Sequence, residues 1–404
     1  METKEKTKKK KPWILKRHKI VMDLVRWPIK VYSQWRYGIT VEPFREQGNR
    51  PYLILMNHQT AFDQFFVGFA FKTPIYYIAT EDIFSLGWIS KALRWLVAPI
   101  PIKKQTTDIN AVMNCIKIAR EGGTICLAPE GNRTYSGRTV HMNPAIASLA
   151  KKLKMPVAFF RIEDGYGIQP RWTEKLRRGK MRAYVSRVIE PEELAAMTAD
   201  QLYEQIREEL WVDENKVTGR FTGTKKAEYL ERCIYVCPEC GLSVFESHGD
   251  ITTCKHCGLQ VRHLDTKELE GVSKPFPFRF VGDWYDYQCD FINKLDTNSY
   301  IAEPLYRDTA NVSEVIVYKN KEPLKDNAQI ALYGDRITID DMVLPFEEIS
   351  TVAVLGRNKA NIYWGKQVLQ LKGDKHFNAL KYVNIYHRDR NIHKDGEDSK
   401  FLGL

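Results

Sequence analysis

Residues 52–63 read Tyr-Leu-Ile-Leu-Met-Asn-His-Gln-Thr-Ala-Phe-Asp, an apolar run that breaks at once into a polar turn. A short apolar run without alternation is what a strand covered on both faces needs. His58 then stands at a strand end, and Asp63 lies near the first turn of the next helix. A carboxylate bonded to one imidazole nitrogen fixes the tautomer and stabilises the charged ring, leaving the other nitrogen to take a proton from a hydroxyl. Taken alone, a His-x4-Asp pair is equally a surface pair in which Asp begins a helix.

A second segment follows the same plan. The run Thr124 to Ala128 (TICLA) leads into Pro129-Glu130-Gly131-Asn132-Arg133-Thr134. Glycine beside arginine allows close backbone approach and offers a forked guanidinium, the equipment for a phosphate. Glu130 is placed to orient that arginine or to bond an acceptor hydroxyl. Further strand-like runs fall at 75–79, 157–162 and 181–188, and helical patterns at 61–71, 88–97, 108–121, 144–153 and 199–210. Strands alternating with helices predict an α/β layered domain whose strand ends collect the ligand-binding residues.

These two segments resemble the Asn-His-x4-Asp and Glu-Gly-Thr-Arg blocks of the glycerolipid acyltransferases, the PlsC-like family typified by 1-acylglycerol-3-phosphate acyltransferases. The resemblance covers about residues 39–210 and implies that His58 is the base, Asp63 its partner, and Glu130, Gly131 and Arg133 the acceptor-phosphate residues. Ala98-Pro99-Ile100-Pro101-Ile102-Lys103-Lys104 occupies the place of a third block, with Lys104 where the family has a second phosphate-binding arginine. Lysine offers a point charge in place of the bidentate fork. Met155-Pro156-Val157 resembles the fourth block, with Phe160 where a second proline is often found.

The formal charge is +11, and residues 1–38 hold twelve Lys or Arg against Glu2, Glu5 and Asp23, so nearly all of the excess is amino-terminal. Such an arm attracts the phosphates of nucleic acid or of anionic lipid. From Trp13 to Tyr37, Trp, Tyr, Ile and Val recur near helical spacing between basic residues, with Pro28 expected to kink or divide the helix. Tryptophan with basic flanks suits a helix lying at a membrane interface. A helix packed on the catalytic core with one wet face has the same pattern. The sequence shows neither a signal peptide nor an apolar run of the roughly 20 residues a spanning helix needs.

Cys237-Pro238-Glu239-Cys240-Gly241 and Cys254-Lys255-His256-Cys257-Gly258 present two Cys-x-x-Cys-Gly turns thirteen residues apart. Four thiolates in a tetrahedron specify zinc and leave no open coordination position, so a structural zinc ribbon is expected. His248, His256 and His263 are read as bystanders, and Cys115, Cys126, Cys233 and Cys289, which lack such partner spacing, as buried thiols. Residues 271–305 carry no clear period and read as a connection. Beyond about Ser313, period-2 runs at 330–332, 337–339, 343–346, 352–355, 362–364 and 368–371 precede one helix at 375–386. That topology resembles a pleckstrin-homology-like or GRAM-like barrel, which is either a lipid- or protein-binding module or a packing unit without a ligand.

The expected organisation is a basic interfacial segment (1–38), an acyltransferase domain (39–220), a zinc ribbon (229–265), a linker (271–305) and a small β-rich domain (306–404). The expected reaction moves a fatty acyl group from acyl-CoA or acyl carrier protein to a hydroxyl of a lysophospholipid acceptor, and this chemistry calls for no catalytic cofactor. The expected place of work is the cytoplasmic face of an anionic membrane, as a peripheral or monotopic protein, with no nucleic-acid partner. The alternative is a non-catalytic lipid-sensing or regulatory protein on the same scaffold.

Overall fold

The computed structural model describes residues 12–102, 108–316 and 318–395. The lysine run at 4–11 and Lys104 lie outside the described residues.

The amino-terminal half is built on a sheet of β1 (Ile39–Val41), β2 (Leu53–Met56), β3 (Ile75–Thr80), β4 (Ile100–Ile102), β5 (Thr124–Leu127), β6 (Val157–Glu163) and β7 (Met181–Ile189), in the order β1-β7-β6-β2-β5-β3-β4. β2 pairs in parallel with β5 and β6, β5 with β3, and β3 with β4, whereas β6 and β7 are antiparallel. Side chains alternate across a strand, and β2 shows the result. Leu53 and Leu55 enter one core with Ile118, Ile146 and Ile206, from α4 (Ile109–Arg120), α5 (Ala145–Leu153) and α8 (Ala199–Leu210). Ile54 and Met56 enter the opposite core with Tyr37, Phe66 and Phe71, against α1 (Lys16–Tyr37) and α2 (Asp63–Ala70). α3 (Trp88–Val97) lies beside α1. The short helices α6 (Gly165–Ile168) and α7 (Pro191–Ala196) complete this layered α/β unit. Local signals set the helix starts: Asp108 accepts from the Ala111 amide, and Thr198 with Gln201 forms a capping box.

α1 is not divided at Pro28 but runs through it as one helix, and Gly38 closes it at φ +59°, donating to the Gln34 carbonyl. One face of α1 packs on the core and the other is exposed. Tyr37 and His18 are buried, with His18 Nδ1 3.0 Å from Tyr76 Oη, and Arg26 donates to the Gly68 carbonyl at 2.7 Å. Ile20, Leu24, Trp27, Val31 and Trp35 form an exposed stripe on the other face. No helix among the described residues is long and apolar enough to cross a membrane.

The cysteine-rich unit comprises β8 (Val236–Cys237), β9 (Gly241–Leu242) and an antiparallel sheet of β10 (Phe245–His248), β11 (Ile251–Cys254), β12 (Gln260–His263) and β13 (Leu269–Gly271). The expected linker is overturned: residues 281–293 form helix α9 (Val281–Asn293), with Val281, Trp284, Tyr285, Gln288 and Ile292 buried. The period was obscured because one of its core-facing positions is Gln288, whose Oε1 accepts from the Tyr235 amide at 2.7 Å and whose Nε2 donates to the Cys233 carbonyl at 3.1 Å.

The last unit is an antiparallel sheet of β14 (Tyr306–Glu314), β15 (Glu322–Leu332), β16 (Arg336–Ile339), β17 (Met342–Pro345), β18 (Ile349–Leu355), β19 (Lys359–Trp364) and β20 (Gln367–Gly373), in the order β17-β16-β15-β14-β20-β19-β18. α10 (Leu380–Asp395) packs against it. Its core is not self-contained. Tyr135, Tyr166 and Trp172 of the α/β unit, Cys237 and Cys254 of the ribbon, Trp284 of α9, and Ile362 and Tyr382 of the last unit belong to one apolar cluster.

Candidate active site

β2 and β5 are parallel neighbours, with Leu55 opposite Leu127, so the two motifs leave the sheet side by side at the carboxyl ends of adjacent strands. Asn57 docks the first loop onto β6. Its side chain donates to the Ile162 carbonyl at 2.8 Å and accepts from the Ile162 amide at 2.7 Å, as a continuing strand would.

His58 Nδ1 lies 2.8 Å from Asp63 Oδ2. Asp63 is fully buried at the start of α2, and Oδ2 also accepts from the Gln59 amide at 2.7 Å, while Oδ1 takes the Thr60 hydroxyl at 2.6 Å. A carboxylate so surrounded by donors is fixed in place. The His58 side chain is 25% exposed, so the ring meets solvent.

Glu130 does not orient Arg133. Its Oε1 accepts from the His58 amide at 2.8 Å and its Oε2 from the Val140 amide at 3.2 Å, so it braces the backbone on which the imidazole stands. Burial pushes its carboxyl pKa up to about 8. Gly131 turns at φ +66°, a conformation that favours glycine, and nothing crowds the space a Cβ would occupy. Thr134 donates from its amide to the His58 carbonyl at 3.1 Å, closing the two loops on each other. Arg133 is half-buried, and its Nη1 is buried without a hydrogen-bond partner among the described residues.

The site has supports that the motifs do not contain. Gln59 donates to Glu214 at 3.1 Å and accepts from the Tyr166 amide at 3.2 Å, and Glu214 meets Lys267 Nζ at 3.1 Å. A Cβ at Gly165 would come within 2.7 Å of Gln59 Oε1, so a larger residue there would displace the Gln59 side chain. No spacing rule links positions 59, 214 and 267, and the polar stretches that hold Glu214 (Asp213-Glu214-Asn215-Lys216) and Lys267 (Asp265-Thr266-Lys267-Glu268) give no local signal of burial.

Cys237, Cys240, Cys254 and Cys257 bring their sulfurs within 4.8 Å of one another, close enough to hold a metal ion. Cys237 Sγ is 3.7 Å from Cys257 Sγ, and Cys240 Sγ is 3.6 Å from Cys254 Sγ. A tetrahedron with metal–sulfur bonds of about 2.3 Å has edges of about 3.8 Å, so the four thiols fit such an ion. Ser243 Oγ, 3.1 Å from Cys240 Sγ, adds a partner to that sulfur.

Residues 38–163 match the family model described as Acyltransferase. This segment is thus an acyltransferase-family domain, and both motifs fall inside it. Among solved structures, the chain is similar to the 1-acyl-sn-glycerophosphate (LPA) acyltransferase PlsC from Thermotoga maritima. The match has 19% sequence identity, covers 48% of this chain and 78% of the other, and has a TM-score of 0.41. No curated protein matches the chain.

Proposed function

We propose that the protein transfers a fatty acyl group from an acyl-CoA or acyl-carrier-protein thioester to a hydroxyl of a lysophosphatidic-acid-type acceptor. The observation that carries this is the His58–Asp63 pair at the mouth of a strand end, with Arg133 on the adjoining loop. Asp63 holds Nδ1, which leaves Nε2 as the nitrogen for the acceptor hydroxyl. As the hydroxyl proton passes to Nε2, the oxygen forms a bond to the thioester carbonyl carbon. The carbon–sulfur bond then breaks, and the imidazolium returns the proton to the departing thiolate. The acceptor phosphate would sit at Arg133, above the open face of Gly131, and Lys104 is proposed as a second cation for it.

Within this proposal the protein works on an anionic membrane surface at the cytoplasmic face. α3 lies beside α1 and likewise exposes apolar residues, Trp88, Ile89 and Trp95, so both helices offer apolar side chains to a membrane surface. We assign zinc to the four cysteines, as a structural ion, and read the last unit as pleckstrin-homology- or GRAM-like. Purified protein is incubated with a panel of lysolipids and both thioester donors, and the products are identified by mass spectrometry. A diacyl product from a phosphorylated lysolipid is expected. Lysolipid binding without any new ester would favour the lipid-sensing alternative.

A further inference from the structure

The hairpin between β18 and β19 turns at residues 356–358, far along the chain from both motifs, yet it is fastened to the loop that carries Arg133. The fastener is Arg171, a buried side chain whose guanidinium lies over the Tyr135 ring at 4.3 Å. Its Nη1 donates to the Arg133 carbonyl at 3.0 Å, its Nε to the Gly356 carbonyl at 3.3 Å, and its Nη2 to the Val354 carbonyl at 3.5 Å. One rigid planar group therefore fixes the backbone of Arg133 and the backbone just before Arg357 relative to each other.

Charge accumulates at this junction. Arg357 Nη1 lies 2.6 Å from Glu174 Oε2, and the same carboxylate meets Arg232 Nη1 at 2.8 Å. Arg133 and Arg171 have no such ion pair among the described residues, and Arg133 Nη1, Arg232 Nη2 and Tyr135 Oη are buried without hydrogen-bond partners. Burial, followed by the charges of Arg171 and Arg357, lowers the pKa of Arg133 to about 10, so it stays protonated at neutral pH. Buried donors without acceptors, on crowded like charges, are costly unless an anion joins them. A phosphate monoester supplies the missing charge and several acceptor oxygens, in the geometry a guanidinium fork bonds best.

We propose that Arg357, presented by the carboxy-terminal unit, joins Arg133 in binding the phosphate of the acceptor, so that the acceptor site is built from both ends of the chain. This rests on the proposed acyl transfer for the identity of the ligand. Arg171 is the positioning residue that holds the two halves together, and Glu174 competes with the ligand for Arg357. The same phosphate chemistry occurs in the acceptor lipid and in coenzyme A, so the test carries both.

The full chain is titrated calorimetrically with a short-chain, monomeric lysophosphatidate and, separately, with coenzyme A. Wild type is compared with Arg357→Gln, Arg357→Lys and Glu174→Gln, each checked for its fold by circular dichroism. Losing one charge-assisted contact should weaken lysophosphatidate by about tenfold in Arg357→Gln. Arg357→Lys should recover part of that loss, Glu174→Gln should bind more tightly than wild type, and coenzyme A should be unaffected. Unchanged lysophosphatidate affinity in a folded Arg357→Gln variant overturns the proposal. So does a loss confined to coenzyme A, which would assign the cluster to the donor, and so does a wild type that binds no lysophosphatidate. Arg357-dependent binding without ester formation from either thioester would reject the acyl transfer and leave this site standing. Ester formation with an unaltered Arg357→Gln affinity would do the reverse.

Discussion

Lys267, from the cysteine-rich unit, places its ammonium 3.1 Å from the Glu214 carboxylate, with both side chains only 2% exposed, and Glu214 in turn bonds Gln59, next to His58. A buried pair of this kind is expensive to break from one side, by about 3–5 kcal/mol, because the remaining charge is stranded. Lys267→Met should therefore lower the melting temperature markedly, and Lys267→Met with Glu214→Leu should recover much of it. Turnover should fall in the single variant, since Gln59 donates its amide to Asp63. Wild-type melting and turnover in Lys267→Met would show that the bridge has no such role.

Metal removal follows from the same connection. Sequence spacing places the ribbon as a separate structural unit, but Cys237 and Cys254 lie in one apolar cluster with Trp172, Trp284 and the last sheet. Binding and folding are coupled in small thiolate sites. Cys254→Ser with Cys257→Ser is expected to lose about one metal per chain. It should also destabilise the catalytic unit and impair acyl transfer. Metal analysis, thermal melting and activity on the double variant test this; full turnover in the metal-free variant would show that the ribbon is energetically independent.

Acid should destabilise the fold through the half-buried imidazole of His387. Burial in α10 pushes the His387 pKa down to about 4, whereas in the unfolded chain it is about 6.5. The unfolded state thus binds the proton first as pH falls. The stability contribution is intact above about pH 6.5 and is lost progressively toward pH 4, up to about 3 kcal/mol. His387→Gln should flatten this part of the stability profile. Parallel wild-type and variant profiles between pH 7 and 4 would contradict the assignment.

The proposed membrane-binding surface is best tested without deleting α1, because Tyr37, His18 and Arg26 tie that helix to the core. Leu24, Trp27 and Trp35 are exposed and face away from it. Replacing all three by Ser should release the protein from anionic liposomes in a flotation assay while leaving its melting temperature near that of wild type. Retained flotation would move the contact surface elsewhere.

What the sequence made legible was local. The unalternating strand Leu53–Met56, the two polar turns behind parallel neighbours and the paired Cys-x-x-Cys turns each carry their meaning within a few residues. Helix Val281–Asn293 was hidden because Gln288, a core position, satisfies backbone groups of the ribbon. Strand Tyr306–Glu314 was missed, because Arg307, Asp308, Thr309 and Asn311 mask the apolar alternation. Glu214, Lys267, Arg171 and Arg357 act across unit boundaries, and a single sequence holds no signal for pairs so far apart. Glu130 was read as a candidate site residue, but its partners are backbone amides, which no side-chain pattern announces.

The central claim is that His58, held by Asp63, is the base for acyl transfer. The direct measurement is turnover of a phosphorylated lysolipid and a thioester by purified wild type and His58→Ala, after confirming equal folding and lysolipid binding. A positioned base contributes on the order of 10²- to 10⁴-fold, so His58→Ala should lose that factor in kcat with little change in acceptor affinity. Turnover within a few-fold of wild type in a folded His58→Ala variant would contradict the account.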